Sequence, residues 1–368
     1  MHQRALVSVT NDLATDNRVH RTCLALQELG YRVTLIGRRL PNSPPLERPY
    51  ATKRMRLLFN KGPLFYAEYN LRLFLVLAFS RATLLVSNDL DTLLANWLAK
   101  GRRALVYDTH EFYTEVPELV ARPGVRRIWL AIERWIFPKL RTVITVNDSI
   151  AQAYQARYGN TVHVVRNIPL PRALGPLPAR SALGLPEDRS LLVLQGAGIN
   201  VDRGGEEAVL AMRQLPGCLL LIIGSGDAWP VLERLVREHG LQDRVRLLGR
   251  MPYERMMDHT RHAALGLTLD KDTNLNYRFS LPNKLFDYLR AGVPVVATDL
   301  PEVAAIVRRY DAGIVLPTPE PEALARAIAA LLADEQHLSR LRASATFAGR
   351  DLDGEKEMRT LVAVLQNA

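Results

Sequence analysis

Two periodicities take turns along this chain. Short apolar runs at 5–10, 31–37, 83–87, 104–107, 142–146 and 162–165 have the length and uniform hydrophobicity of strands buried on both faces. Between them, stretches at 18–29, 73–79, 92–99 and 125–137, and one opening at Asn147-Asp148-Ser149, read as helices. After residue 190 the alternation restarts, with runs at 191–195, 218–223, 244–248, 264–269, 293–297 and 313–316 and helical segments from Glu320 onward. Strands alternating with helices predict parallel, doubly wound sheets, and two such series predict two domains. Residues 168–189, with five prolines and no clear period, read as the linker between a domain of 1–167 and one of 190–354.

The most informative stretch is FSLPNKLFDYLRAGVPVVATDLPEV, residues 279–303. Pro282 suits the first helical turn, Gly292 a left-handed cap, and VPVVAT a buried strand. At 100° per residue Leu285, Phe286, Tyr288 and Leu289 share one side of the helix, and Asn283, Lys284, Asp287 and Arg290 the other. Two readings fit the polar side. It is either the solvated flank of an amphipathic helix, or a binding surface. In the second reading the free N–H groups at the helix start, with Lys284, suit a diphosphate, and Asp287 accepts hydrogen bonds from hydroxyls such as a ribose's.

Other candidates sit at strand ends, where ligands bind in open α/β sheets. Asp108, His110 and Glu111 follow the 104–107 strand. The loop QGAGINVDRGG offers glycines, Gly198 among them, for close backbone approach, and Arg203 as a phosphate ligand. The loop NDLATDN after the first strand has no glycine, so the dinucleotide fingerprint is absent and a nicotinamide oxidoreductase is disfavoured. Asp16 in that loop reads as a helix cap, as does Asp89 or Asp91 for the 92–99 helix. Asp89 with Asp91, Asp270 with Asp272, and Asp351 with Asp353 each make an Asp-x-Asp, a metal-binding signature that chance explains in a chain with 38 Asp and Glu.

Composition narrows the class. A 368-residue chain, 48% hydrophobic and 23% charged, is a soluble protein of two ordinary cores. Two cysteines and no apolar leader fit a reducing, cytoplasmic setting. Residues 1–167 hold 24 Lys and Arg against 13 Asp and Glu, net +11, and the remainder 24 against 25, net −1. The excess in the first half suits either an anionic partner, whether membrane surface, lipid-linked phosphate or nucleic acid, or mere solubility. Lys53, Arg54, Arg56 and Lys61, interleaved with Phe and Leu, are the candidates for peripheral membrane contact. The cations match no nucleic-acid motif, and no nucleic-acid partner is expected.

The string LPNKLFDYLRAGVPVVATDLPEV resembles the nucleotide-sugar site of retaining GT-B glycosyltransferases of the family-4 type, the group 1 glycosyl transferases. The resemblance implies two Rossmann-like domains facing across a cleft, with residues 355–368 packing back on the first. It implies transfer of a sugar from a nucleotide-diphosphate donor to a glycan or lipid-linked acceptor hydroxyl, without a metal or other cofactor. Arg203 and Lys284 would stabilise the leaving diphosphate, and Asp287 would hold the ribose. Asn283, Gly198, Leu281, Arg250 and Met251 would line the donor pocket. His110, in a segment similar to the family's Asp-x-His, would contact the sugar or orient the acceptor, itself oriented by Asp108 or Glu111. Asn11, Asp12, Asp108 and Glu111 fall on the acceptor side. The family has two glutamates separated by seven residues; here the second is Asp287 and the first position holds Phe279. A sugar-nucleotide epimerase of the same architecture and a non-enzymatic nucleic-acid-binding protein are the rival readings.

Overall fold

A computed structural model describes residues 3–14, 17–170 and 172–368. The chain forms two compact units, residues 1–167 with 355–368, and residues 168–354.

The first unit contains β1 (Arg4–Asp12), α1 (Asn17–Glu28), β2 (Arg32–Arg38), β3 (Ala51–Met55), α2 (Gly62–Ala78), β4 (Leu84–Asn88) and α3 (Leu90–Ala99). It continues through β5 (Ala104–Thr109), α4 (Pro117–Val120), α5 (Pro123–Ile136), β6 (Thr142–Thr145), α6 (Asp148–Tyr158) and β7 (His163–Val164). All strands pair in parallel in the order β3-β2-β1-β4-β5-β6-β7, so the order reverses between β1 and β4. Such a reversal splays the loops at the carboxyl ends apart and leaves a crevice there. The core holds Val7, Leu35, Val86, Val106 and Ile144 from successive strands, and Leu361 and Leu365 from the C-terminal helix, Gly354–Gln366.

β3 is absent from the expected strands. Its sequence, ATKRM, is charged because it is an edge strand with a largely exposed register, and its backbone is held by pairing with β2. Residues 73–79, whose apolar run reads as a buried core helix, are buried on one side only: Leu73 and Leu77 are buried while Leu75 and Phe79, like Leu71 before them, face solvent. Asn147 caps α6, its side chain accepting from the Ile150 N–H at 2.9 Å. Asp89 precedes α3 but makes no cap bond. Asp16 lies outside the described residues.

The second unit runs β8 (Ser190–Gly196), α7 (Gly205–Ala211), β9 (Cys218–Gly224), α8 (Trp229–Glu238), β10 (Val245–Leu248), α9 (Tyr253–Thr260) and β11 (Leu265–Thr268). It closes with α10 (Leu275–Arg278), α11 (Asn283–Arg290), β12 (Val295–Thr298), α12 (Pro301–Tyr310), β13 (Gly313–Leu316), α13 (Pro321–Ala333) and α14 (Glu335–Asp351). The parallel order β10-β9-β8-β11-β12-β13 reverses between β8 and β11. β9 is buried along its whole length, as its run of Leu and Ile requires. The stretch expected as a linker packs with this unit instead: Ile168 and Leu185 are buried in its core. Proline there breaks helical period without preventing burial of the apolar residues between.

Pro282 sits one residue ahead of α11, at its N-cap, and Gly292 ends it at φ 66°, with the Val293 N–H donating to the Tyr288 carbonyl at 2.9 Å. No described helix is long and apolar enough to cross a membrane.

Candidate functional site

In the second unit the strand ends at the reversal bring three charged groups together. The loop after β8 carries Arg203, the residue two beyond β11 is Asp270, and α11 begins with Asn283-Lys284. Gly204, at φ 76°, makes the convergence possible: a Cβ there would lie 2.3 Å from that of Leu269, so only glycine lets the loop press against the end of β11. Arg203 Nη1 then meets Asp270 Oδ2 at 3.0 Å, and Lys284 Nζ meets Asp270 Oδ1 at 3.5 Å. The Arg203 guanidinium also stacks 4.1 Å from the centre of the Tyr277 ring. Two cations thus share one buried carboxylate, leaving a positive surplus. Burial lowers the Lys284 pKa against the pull of Asp270. For Arg203, burial opposes the charge, but Asp270 and Tyr277 outweigh it and the pKa rises.

One turn along α11, Asp287 is buried too. Its Oδ1 accepts from the Tyr253 hydroxyl at 2.8 Å and its Oδ2 from Gln195 Nε2 at 3.1 Å; the Gln195 side-chain Oε1 itself accepts from the Thr260 hydroxyl at 2.5 Å. Burial pushes the Asp287 carboxyl up to about 6 despite both donors. The neighbouring Tyr288 hydroxyl accepts from the Gln195 N–H at 3.1 Å and lies 3.2 Å from the carbonyls of Val193 and Leu267, bridging β8 and β11 where they part. The solvated-flank reading of this helix is therefore corrected: Lys284 and Asp287 are buried, while Asn283 is exposed.

In the first unit the corresponding strand ends carry the opposite charge. Arg18 on α1 forks onto Asp108 Oδ1 through Nε at 3.2 Å and Nη2 at 2.5 Å, and donates through Nη1 to the Val165 carbonyl at 2.9 Å. Burial opposes ionisation of Asp108, but Arg18 and then His110 hold its pKa far below the usual carboxylate range. His110 lies between two carboxylates, Nδ1 at 3.5 Å from Asp89 and Nε2 at 3.6 Å from Asp108. Its backbone N–H also donates to Asp89 at 2.8 Å. Asp89 reaches this position at φ 58° and ψ 168°, a conformation that its Cβ penalises and the surrounding bonds maintain. Burial disfavours the imidazolium, but Asp89 and Asp108 outweigh it and raise the pKa to about 9. At neutral pH His110 is therefore a hydrogen-bond donor, and a poor base. Asp91, on the first turn of α3, accepts from Thr10 at 2.5 Å; burial, then Asp89, raise its pKa to about 7.

Residues 180–346 match the family model described as glycosyl transferases group 1, and residues 16–168 that of glycosyltransferase family 4. The chain belongs to the group 1 glycosyltransferases of the GT-B fold. This glycosyltransferase is 24% identical to a D-inositol 3-phosphate glycosyltransferase of Xylanimonas cellulosilytica, the match covering 76% of this chain and 78% of that one. An exopolysaccharide phosphotransferase of Streptomyces coelicolor is 33% identical over 37% of this chain, which spans only 14% of that protein. Among solved structures, the sucrose-phosphate synthase of Thermosynechococcus elongatus superposes with a TM-score of 0.83 at 20% identity, covering 99% of this chain and 98% of that one. The Anabaena protein HepE in complex with UDP and glucose superposes at 0.75 and 16% identity over the whole of both chains. Neither rival reading, epimerase nor nucleic-acid-binding protein, is favoured by these matches.

Of the glycosyltransferase's expected donor-side residues, Arg203 and Lys284 meet on Asp270. Arg250 donates from Nε to Ser225 at 2.5 Å and from Nη2 to the Ala197 carbonyl at 3.1 Å, tying the turn after β9 to the loop that holds exposed Gly198. Met251 and Leu281 are half-buried against the core of the same unit. On the acceptor side three expectations change. Asp108 is 1% exposed and committed to Arg18, so it cannot meet an acceptor. Asp12 is turned to the sheet edge, bonded to Ser43, the Ala14 N–H and Arg54, while Asn11 is exposed. His110 is oriented by Asp89 with Asp108 rather than by Glu111, whose side chain is exposed. Arg54, expected on a membrane-facing surface, is instead 14% exposed in its pair with Asp12; Lys53, Arg56 and Lys61 are exposed. Among the described residues no group of three or more His, Cys, Asp or Glu is placed to hold a metal ion.

Proposed function

We propose that the chain is a retaining, metal-independent glycosyltransferase that moves a sugar from a nucleotide-diphosphate donor to the hydroxyl of a glycan or lipid-linked acceptor. The observation that carries this reading is the pair of cations, Arg203 and Lys284, on the single buried carboxylate Asp270 beside the start of α11. A site with a positive surplus and helix N–H groups is preorganised for an anion, and in glycosyl transfer the negative charge develops on the departing diphosphate. A metal would be redundant beside two cations. Asp287, one turn beyond and held by Tyr253 and Gln195, would accept hydrogen bonds from the ribose hydroxyls. Departure on the front face, with the diphosphate helping to deprotonate the acceptor, retains the anomeric configuration. His110, charged at neutral pH, fits a hydrogen-bond donor to a sugar or acceptor oxygen rather than a general base. HepE was crystallised with UDP and glucose and with UDP-glucose, which favours a uridine nucleotide as the first donor to try.

Calorimetric titration with UDP, GDP and ADP, each with and without EDTA, tests the reading. One nucleotide binds selectively and equally in EDTA, Asp287→Ala abolishes that binding, and Lys284→Ala costs about 1.5–3 kcal/mol. Unchanged affinity in Lys284→Ala would remove the lysine from the site, and a requirement for metal would overturn metal independence.

A further inference from the structure

The first unit contains a cavity of about 760 Å³ that none of the groups above accounts for. It lies among α2, α3, α5 and the segment that follows β5, and its lining includes Leu71, Phe74, Leu94, Leu98, Ile128 and Ile132. Several of these are exposed together on one lining, as a contiguous apolar patch: Ile128 63%, Leu71 61% and Leu98 56%. Glu111 and Tyr113, which also line it, belong to the loop that carries His110, so the cavity is continuous with the acceptor-side strand ends. Along the same two helices, Trp97 on α3 and Trp135 on α5 are bridged by Lys139, 6.0 Å from one ring and 5.3 Å from the other, with Lys100 5.0 Å from Trp97. Tryptophan and lysine together are the side chains that settle where hydrocarbon meets water.

We infer that this groove takes the hydrocarbon chain of a lipid-linked acceptor, presenting its polar head to the His110 loop. The inference rests on the glycosyl-transfer reading and narrows its acceptor to an amphiphile. Volume and lining suit one long apolar chain. The exposed rim and the Trp-Lys cluster suit an occupant drawn from a lipid phase rather than a soluble sugar. The charged groups on the lining, Glu111 and Glu118 against Arg122, leave a net charge of −1, so the chain and not an anionic head supplies the affinity.

The test uses neutral alkyl glucosides below their micelle concentration, titrated into the full chain, with UDP titrated into the same preparations. Decyl glucoside should bind at least tenfold more tightly than butyl glucoside. The double substitution Leu98→Glu with Ile128→Glu, and separately Ala67→Trp, which fills the groove from an exposed position on α2, should each weaken decyl glucoside tenfold or more and leave UDP affinity unchanged. Equal affinity for the two glucosides, or no effect of either variant, with UDP binding intact, overturns the inference alone. Chain-length dependence without nucleotide binding supports the groove and overturns the donor reading. A dimer in sedimentation that Leu98→Glu with Ile128→Glu dissolves, with no decyl glucoside bound, overturns the inference in favour of a second copy of this chain.

Discussion

Both units are doubly wound sheets whose strand order reverses once, and both gather charged residues at the carboxyl ends beside the reversal. What they gather is opposite. The first unit sets Asp89, Asp91 and Asp108 against Arg18 and His110, and the effect is to hold an imidazole protonated. The second sets Arg203 and Lys284 against Asp270, and the effect is to leave cationic charge without a full complement of anions. The same backbone geometry therefore holds an imidazole between two carboxylates in one unit and a carboxylate between two cations in the other. The difference lies in a handful of side chains, which is why fold alone says little about chemistry.

The comparison breaks most sharply at Asp270. Asp270→Asn leaves two cations unpaired at a buried site, and should cost about 3 kcal/mol in urea denaturation. It should also tighten UDP, because the carboxylate no longer competes with diphosphate for Arg203 and Lys284; weaker UDP binding would show that Asp270 itself is needed by the ligand. In the first unit the decisive group is Asp91. Its pKa is raised from 3.8 to about 7 by folding, so its contribution to stability is complete below pH 3.8 and lost as pH rises through about 7. Asp91→Asn should remove that decline, worth roughly 2–4 kcal/mol between pH 4 and 8, whereas a mutant that follows the wild-type profile would place the titration elsewhere. His110 has the same sign at higher pH: its contribution is complete below 6.5 and lost as pH rises through about 9. The smallest effect is expected at Tyr253→Phe, which removes one of the two donors to Asp287 and should cost about 1 kcal/mol of stability. UDP affinity of the unsubstituted chain should weaken as pH falls through about 6, where Asp287 takes up its proton, and in Tyr253→Phe the weakening should set in at higher pH, because the Tyr253 hydroxyl holds that pKa down; a flat profile would separate Asp287 from the ribose.

The alternation of strands and helices was legible because burial on both faces demands uninterrupted apolar runs, as in β9 with Leu219 to Ile223. β3 was not, because an edge strand with exposed side chains carries no apolar signature. At the site, Arg203, Lys284 and Asp287 stood out by position near glycines and a helix start. Their partners did not: Asp270 was one of three Asp-x-Asp matches, and nothing marked Arg18, Gln195 or Tyr253. Pairing across 67 residues between Arg203 and Asp270, or 90 between Arg18 and Asp108, depends on which strand ends meet, and strand order is invisible to local pattern. An Asp before a helix usually caps it, so Asp89 or Asp91 reads as the cap of the 92–99 helix; the unusual φ of Asp89, which turns its side chain to His110 instead, leaves no trace in sequence.

The return of the C-terminal helix to the first unit makes that unit discontinuous, interrupted by residues 168–354. On the ribosome the interruption takes roughly 10 to 40 s to synthesise. Throughout that interval Val7, Leu35 and the other residues that meet Leu361 and Leu365 wait with one wall of their core missing. The second unit, whose residues are contiguous, can finish first. A nascent chain stalled short of residue 355 would leave that apolar wall of the first unit uncovered.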